Sequence, residues 1–166
     1  MTPEFIEAAL AGQVEDAAQE LGIELPDGFP EEHLRGFLAL RLRQMRKDSR
    51  FVEWCPHVVV LDGRMIGHAG YHGPPGVNAL QRADAIEVGY TIYEPYRGRG
   101  YATAATAELL RRAEERGVHH YFASCAPGNA PSLAIIRKLG FTQAGEVIDE
   151  VDGLELVFEL SRPAEG

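Results

Sequence analysis

The sequence predicts an α/β (α+β) fold, with a mixed, mostly antiparallel sheet, a central βαβ crossover and flanking helices. Three observations carry this. Strand-like runs meet at Asp62-Gly63 and again at Asp152-Gly153, and an Asp-Gly pair between two such runs is a strong hairpin signal. Between these hairpins, the run from Ala85 to Ile92 leads through a glycine turn into a helical pattern and then a short apolar strand, which is a right-handed crossover with parallel strands. Ahead of everything, residues 2 to 47 repeat apolar positions at helical spacing.

The elements follow in order. Thr2-Pro3-Glu4 is an N-cap, a first-turn proline and an early acid, and Phe5, Ile6, Ala9 and Leu10 then share a face up to Gly12. Val14 to Leu21 reads as a second short helix closed by Gly22, and Pro26 to Pro30 as a loop. Glu31 to Lys47 places Leu34, Phe37, Leu38, Leu42 and Met45 on one side and arginines on the other. His57 to Leu61 and Arg64 to His72 form the first hairpin, and alternation puts His68, Gly70 and His72 on one strand face. Two histidines so spaced suit either a metal or a polar cleft wall, and no third ligand accompanies them.

Ala85 to Ile92 has the β-branched and aromatic content of a strand. The helix from Tyr101 ends at Arg116-Gly117, with Arg111, Arg112 and Arg116 at the favoured end of its dipole. A short strand, His119 to Cys125, completes the crossover. Asn129 caps a last helix with Pro131 in its first turn and Ala134, Ile135, Ile136 and Leu139 as apolar positions; Phe141 to Ile148 and Leu154 to Leu160 close the chain as strands.

A chain of 166 residues with 45% hydrophobic and 25% charged content is expected to form one domain over 1–166, with 1–50 as helical flank and 56–160 as core. No apolar run reaches membrane-spanning length and no signal pattern opens the chain, so a cytoplasmic protein without a membrane partner is expected. The net charge of −9 argues against a nucleic-acid partner and mildly favours a cationic substrate, although solubility alone explains such a balance. Cys55 and Cys125 lack CxxC spacing and a nearby Cys/His set, so neither metal nor disulfide is expected.

The stretch Arg97-Gly98-Arg99-Gly100-Tyr101-Ala102-Thr103 lies where the strand gives way to the helix. The first helical N–H groups have no intrahelical partner there, the dipole adds partial positive charge, and glycines let a ligand approach the backbone. It reads either as an anion cradle or as a tight turn. The P-loop pattern is absent, and Thr103 stands where the dinucleotide fingerprint needs a third small residue.

Arg97-x-x-Gly100-x-Ala102, preceded by Glu87-Val88-Gly89-Tyr90 and followed by Asn129-x-x-Ser132 and Lys138-Leu139-Gly140-Phe141, resembles the GNAT superfamily of N-acetyltransferases over roughly residues 56 to 160. The Asn-x-x-Ser form is most similar to the branch that acetylates the N-termini of ribosomal proteins. The resemblance implies acetyl-CoA as donor, no metal, and a primary amine as acceptor, either a small molecule or a protein N-terminus. It also allows a homodimer. The pyrophosphate is expected on the backbone of Gly98 to Thr103, the pantetheine and thioester along Tyr90, Thr91 and Ile92, and Asn129 on the cofactor arm. Arg97, Gly98, Arg99, Gly100, Tyr101, Ala102, Thr103 and Ser132 complete the expected donor site.

Amine attack on a thioester needs a base, an in-line geometry and help for the departing thiolate. Glu87 is the first candidate base, on the strand face of Gly89 and Thr91; its other reading is a charge satisfying the sheet. Glu150, His68 and His72 stand in reserve. Many members of the family carry a tyrosine acid where this chain has Ile136, which leaves Ser132 either as substitute proton donor or as a capping serine. Ser124 replaces a carboxylate that some members carry, and the family's usual first strand is missing. The alternative is a non-catalytic acyl-CoA-binding or regulatory module, motivated by Ile136.

Overall fold

The computed structural model describes residues 1–149 and 153–163, so Glu150 and the Asp152 turn lie outside the described residues. Helix α1 (Pro3–Leu10) starts where the Thr2 hydroxyl accepts the Phe5 N–H at 3.1 Å, which satisfies one of the four orphan donors of a helix start. Helix α2 (Val14–Leu21) ends at Gly22 in the left-handed region, with φ 63°. Helix α3 (Glu32–Lys47) buries Leu34, Leu38, Leu42 and Met45 along one stripe. A short helix α4 (Arg50–Glu53) follows, which the sequence reading does not foresee; four residues are too few to show a period, and its first turn is held by Asp48 accepting the Arg50 N–H at 3.0 Å.

Six strands then build one sheet: β1 (Pro56–Leu61), β2 (Arg64–Tyr71), β3 (Ala85–Ile92), β4 (His120–Cys125), β5 (Thr142–Asp149) and β6 (Gly153–Ser161), in the order β1-β2-β3-β4-β6-β5. The β3–β4 pair is parallel and every other pair antiparallel, as expected for a crossover through helix α5 (Tyr101–Glu114). Helix α6 (Ala130–Lys138) leads from β4 back to the closing hairpin. The mixed sheet with flanking helices is the fold class that the sequence predicts.

The parallel ladder is short. It runs from Ala85 opposite His120 to Glu87 opposite Phe122, while β3 continues to Ile92 and β4 to Cys125 on other partners. Tyr90, Thr91 and Ile92 therefore pair with β2 on one edge and have no strand on the other. That open edge is what makes room for a ligand.

Alternation assigns the two faces. Ala69, Tyr71, Ile86, Val88, Tyr121 and Ala123 pack with Leu109 and Leu110 of α5 and Ile136 of α6, and the buried Tyr71 hydroxyl donates to Leu109 O at 2.7 Å. Leaving that hydroxyl unpaired would cost about 1–3 kcal/mol. The N-terminal helices form a second cluster in which Phe5, Ile6, Leu34 and Leu38 pack with Met65 of β2. The β2–β3 register sets His68 opposite Thr91 and Gly70 opposite Gly89, so these residues, with His72 and Glu87, share the face away from α5.

Candidate functional site

A cleft of about 620 Å³ opens at the end of β3, between the start of α5 and the start of α6. Its walls include the backbone of Tyr90, Thr91 and Ile92, the turn at Arg97, Gly98 and Gly100, the first turn Tyr101-Ala102-Thr103, and Asn129 and Ser132. The structure thus brings the expected donor residues to one cavity, with the exception of Arg99, which is exposed and does not line it. Tyr96, Pro131 and Ile135 also line the cleft, and nothing in the motif spacing marked them.

The turn fits an anionic group. Gly98 and Gly100 hold φ of 73° and 84°, the left-handed region that glycine enters without penalty. A Cβ built on either would meet nothing within 4 Å, so the space a side chain would fill is open to a ligand. Gly100 caps α5 with no side-chain hydrogen bond, which leaves the first-turn N–H groups directed at the cleft. Arg97 braces this turn: its N–H donates to Glu94 O at 3.2 Å, and its Nε donates to Ile92 O at 2.8 Å.

At the α6 side, the Asn129 side chain accepts the Ser132 N–H at 3.2 Å as helix N-cap. The Ser132 hydroxyl is left for another partner, and it lies 2.8 Å from the hydroxyl of Tyr90. The motif engages the Tyr90 backbone alone; for the side chain the signal in the sequence is strand alternation, which sends residue 90 to the face of α6. Burial raises the Tyr90 phenol above its ordinary value, and the hydrogen bond to Ser132 opposes that rise. Ile136, at the position of the expected tyrosine, is 2% exposed and part of the core.

Glu87 lies on the opposite face and is 2% exposed. Its carboxylate accepts the Ala79 N–H at 2.6 Å and the Ser124 hydroxyl at 2.7 Å, and His72 Nδ1 is 3.7 Å away. Ser124, which replaces a carboxylate in the sequence pattern, is therefore a donor to the one that remains. Neither Glu87 nor His72 lines the cleft; His72, with its side chain 45% exposed, has its Nε2 3.1 Å from where a Cβ on Gly89 would be. The glycine makes room for that ring, so Glu87 meets the open surface of the strand through His72.

His68 stacks on Phe37 of α3 with ring centroids 5.6 Å apart. Burial, aided by His33, pushes its imidazole down to about 4, so it is neutral near pH 7. Among the described residues no group of three or more His, Cys, Asp or Glu is arranged to hold a metal ion. A second cleft of about 620 Å³ shares Thr91, Tyr96 and Arg97 with the first and is lined by Glu24, Asp27, Glu31 and Glu94. Its outer wall is fixed by the bonds of Glu24 to the first hairpin, from Glu24 N–H to Gly63 O at 2.8 Å and from Met65 N–H to Glu24 O at 2.9 Å.

Residues 7–142 match the family model of the acetyltransferase (GNAT) domain. The chain is 26% identical over 123 residues to an uncharacterized N-acetyltransferase, YnaD, of Bacillus subtilis, covering 73% of this chain and 65% of that protein. It is 28% identical over 107 residues to an L-methionine sulfoximine/L-methionine sulfone acetyltransferase of Pseudomonas aeruginosa, covering 63% and 61%. The match thus spans less than two thirds of these relatives. The crystal structure of a ribosomal-protein-alanine N-acetyltransferase from Brucella melitensis superposes with a TM-score of 0.64 at 23% identity, covering 98% of this chain and 97% of that one, a likeness of fold.

Proposed function

The chain belongs to the GNAT acetyltransferase family, and on that premise we propose that it is an N-acetyltransferase moving an acetyl group from acetyl-CoA to a primary amine by direct transfer in a ternary complex. The observation that carries this reading is the cleft at the open edge of β3, where a helix start suited to an anion and a strand edge without a neighbouring strand line one cavity.

In this reading the donor's pyrophosphate rests on the first-turn N–H groups of α5, where dipole and unpaired donors stabilise negative charge. The edge of Tyr90 to Ile92 that has no strand partner orients the pantetheine arm and polarises the thioester carbonyl, with Ile92 O itself already taken by Arg97. The amine enters through the second cleft, where four carboxylates outnumber the cations Arg97 and Arg64, the latter paired with Glu24 at 2.7 Å, an excess that favours a cationic acceptor, and meets the donor at Thr91, which both cavities share. Glu87 and His72 form the base: the imidazole, beside Gly89 and two strand positions from Thr91, takes the ammonium proton through water, and the buried carboxylate stabilises the cation that forms. Ser132, on the other face, protonates the departing sulfur.

Two measurements test the proposal together. Calorimetry should show acetyl-CoA binding, and thiol release with a panel of cationic amines should exceed hydrolysis for at least one class. Binding with no acetylated product, even after incubation with acetyl-CoA and a cell extract, would instead favour a non-catalytic acyl-CoA-binding module.

A further inference from the structure

We propose that Tyr90 is the positioning residue of the acid side of this site, fixing the Ser132 hydroxyl and resupplying its proton. This rests on the acetyltransferase reading above and assigns a side chain that the motif does not. A coenzyme A thiol is a simple alkyl thiol and ionises only above neutral pH, so a sulfur leaving near neutral pH gains from a proton donor. A lone serine hydroxyl is a poor acid and turns freely. Here the hydroxyl has a fixed partner. Its backbone N–H is committed to Asn129, and its Oγ is 2.8 Å from the Tyr90 hydroxyl.

Both residues line the cleft, one from β3 and one from α6. Tyr90 packs against the core cluster that contains Ile136, and its hydroxyl meets that of Ser132. The helical position at which the motif expects a phenol holds the buried Ile136, and the phenol reaches the same helix from the neighbouring strand instead.

The step balances. The amine nitrogen bonds the carbonyl carbon, the C–S bond breaks with its electron pair going to sulfur, sulfur takes the Ser132 proton, and Ser132 takes that of Tyr90. The phenolate then recovers a proton from solvent, equal to the one released by the amine on the other face. The Tyr90 hydroxyl also reaches the Ser132 carbonyl oxygen at 3.4 Å, and among the described residues the titratable group facing the phenol is the buried Cys125 thiol of β4, which itself pairs with the Ser132 hydroxyl, with Glu155 of β6 and Arg137 of α6 acting on that thiol.

The test is a double-mutant cycle in the full chain with Tyr90→Phe, which keeps the ring and its packing, and Ser132→Ala. Each single variant should lower kcat about 10-fold or more with the KM for acetyl-CoA unchanged, and the double variant should be no worse than the poorer single. Incorporating 3-fluorotyrosine at position 90 should restore turnover and move the alkaline limb of the pH profile to lower pH. Full activity in Tyr90→Phe, or additive losses, would overturn the assignment while leaving the acetyltransferase reading intact. A wild-type protein that neither binds nor consumes acetyl-CoA would remove both.

Discussion

The carboxylate of Glu87 shows how far one residue's burial can redirect a chemical argument. Sequence alternation places it on the reactive strand face, but its two oxygens are occupied by Ala79 and Ser124, and His72 stands between it and the open surface. Glu87→Gln keeps the size and a carbonyl acceptor but loses the charge that stabilises an imidazolium, so kcat should fall by about 10²-fold, within the range for general base catalysis. Acetyl-CoA affinity should stay within about twofold, because the donor cleft does not include residue 87. Steady-state kinetics beside calorimetry checks both; an unchanged kcat would leave Glu87 with a sheet-satisfying role alone. The Glu87 position was legible in the sequence because a two-residue period fixes the face. Its partners were not, because Ala79, Ser124 and His72 come from a loop and two other segments that only the sheet order brings together.

At the level of elements, the turn into α5 and the cap of α6 line the cleft proposed for the donor, and both were readable because glycine and asparagine mark backbone geometry locally. Gly100→Val forces a β-branched residue to φ 84°; with nothing within 4 Å of the added Cβ, the cost is the backbone conformation, of order 1–3 kcal/mol. The side chain also occupies the space of the anion, so acetyl-CoA affinity should drop at least about 10-fold, more than the change in melting temperature alone explains. Equal affinity in the folded variant would sink the cradle. Asn129→Ala should cost about 1 kcal/mol in thermal or denaturant unfolding as a lost N-cap. It should also lower kcat, since the first turn that holds Ser132 in line with Tyr90 loosens; a variant less stable but fully active would separate the cap from the chemistry. By contrast, α4 escaped the sequence reading because its start depends on one aspartate bonding its own neighbourhood rather than on any period.

For the whole molecule, two neutral imidazoles between the sheet and its helical layers couple stability to pH. His57 of β1 meets the edge of Tyr71, with ring centroids 6.3 Å apart, and its Nε2 is buried without a hydrogen-bond partner among the described residues; His68 of β2 lies on Phe37. Burial pushes each down to about 4, with positive charges nearby adding to the effect, chiefly the N-terminal ammonium for His57 and His33 for His68. The unfolded chain binds these protons near pH 6.5 and the folded chain only near 4, so between those values the unfolded state holds more protons and stability rises with pH. The contribution is fully present above pH 6.5 and is lost as pH falls toward 4, up to about 3 kcal/mol per ring for the full shift. Carboxylates titrate in the lower part of the same window, so the comparison must be made against a variant. In His57→Gln/His68→Gln the melting temperature should be lower at pH 7.5, where packing is lost. It should fall less steeply than that of the parent between pH 6.5 and 4.5, so the two curves converge on acidification. Parallel curves would mean that neither imidazole is held neutral by the fold.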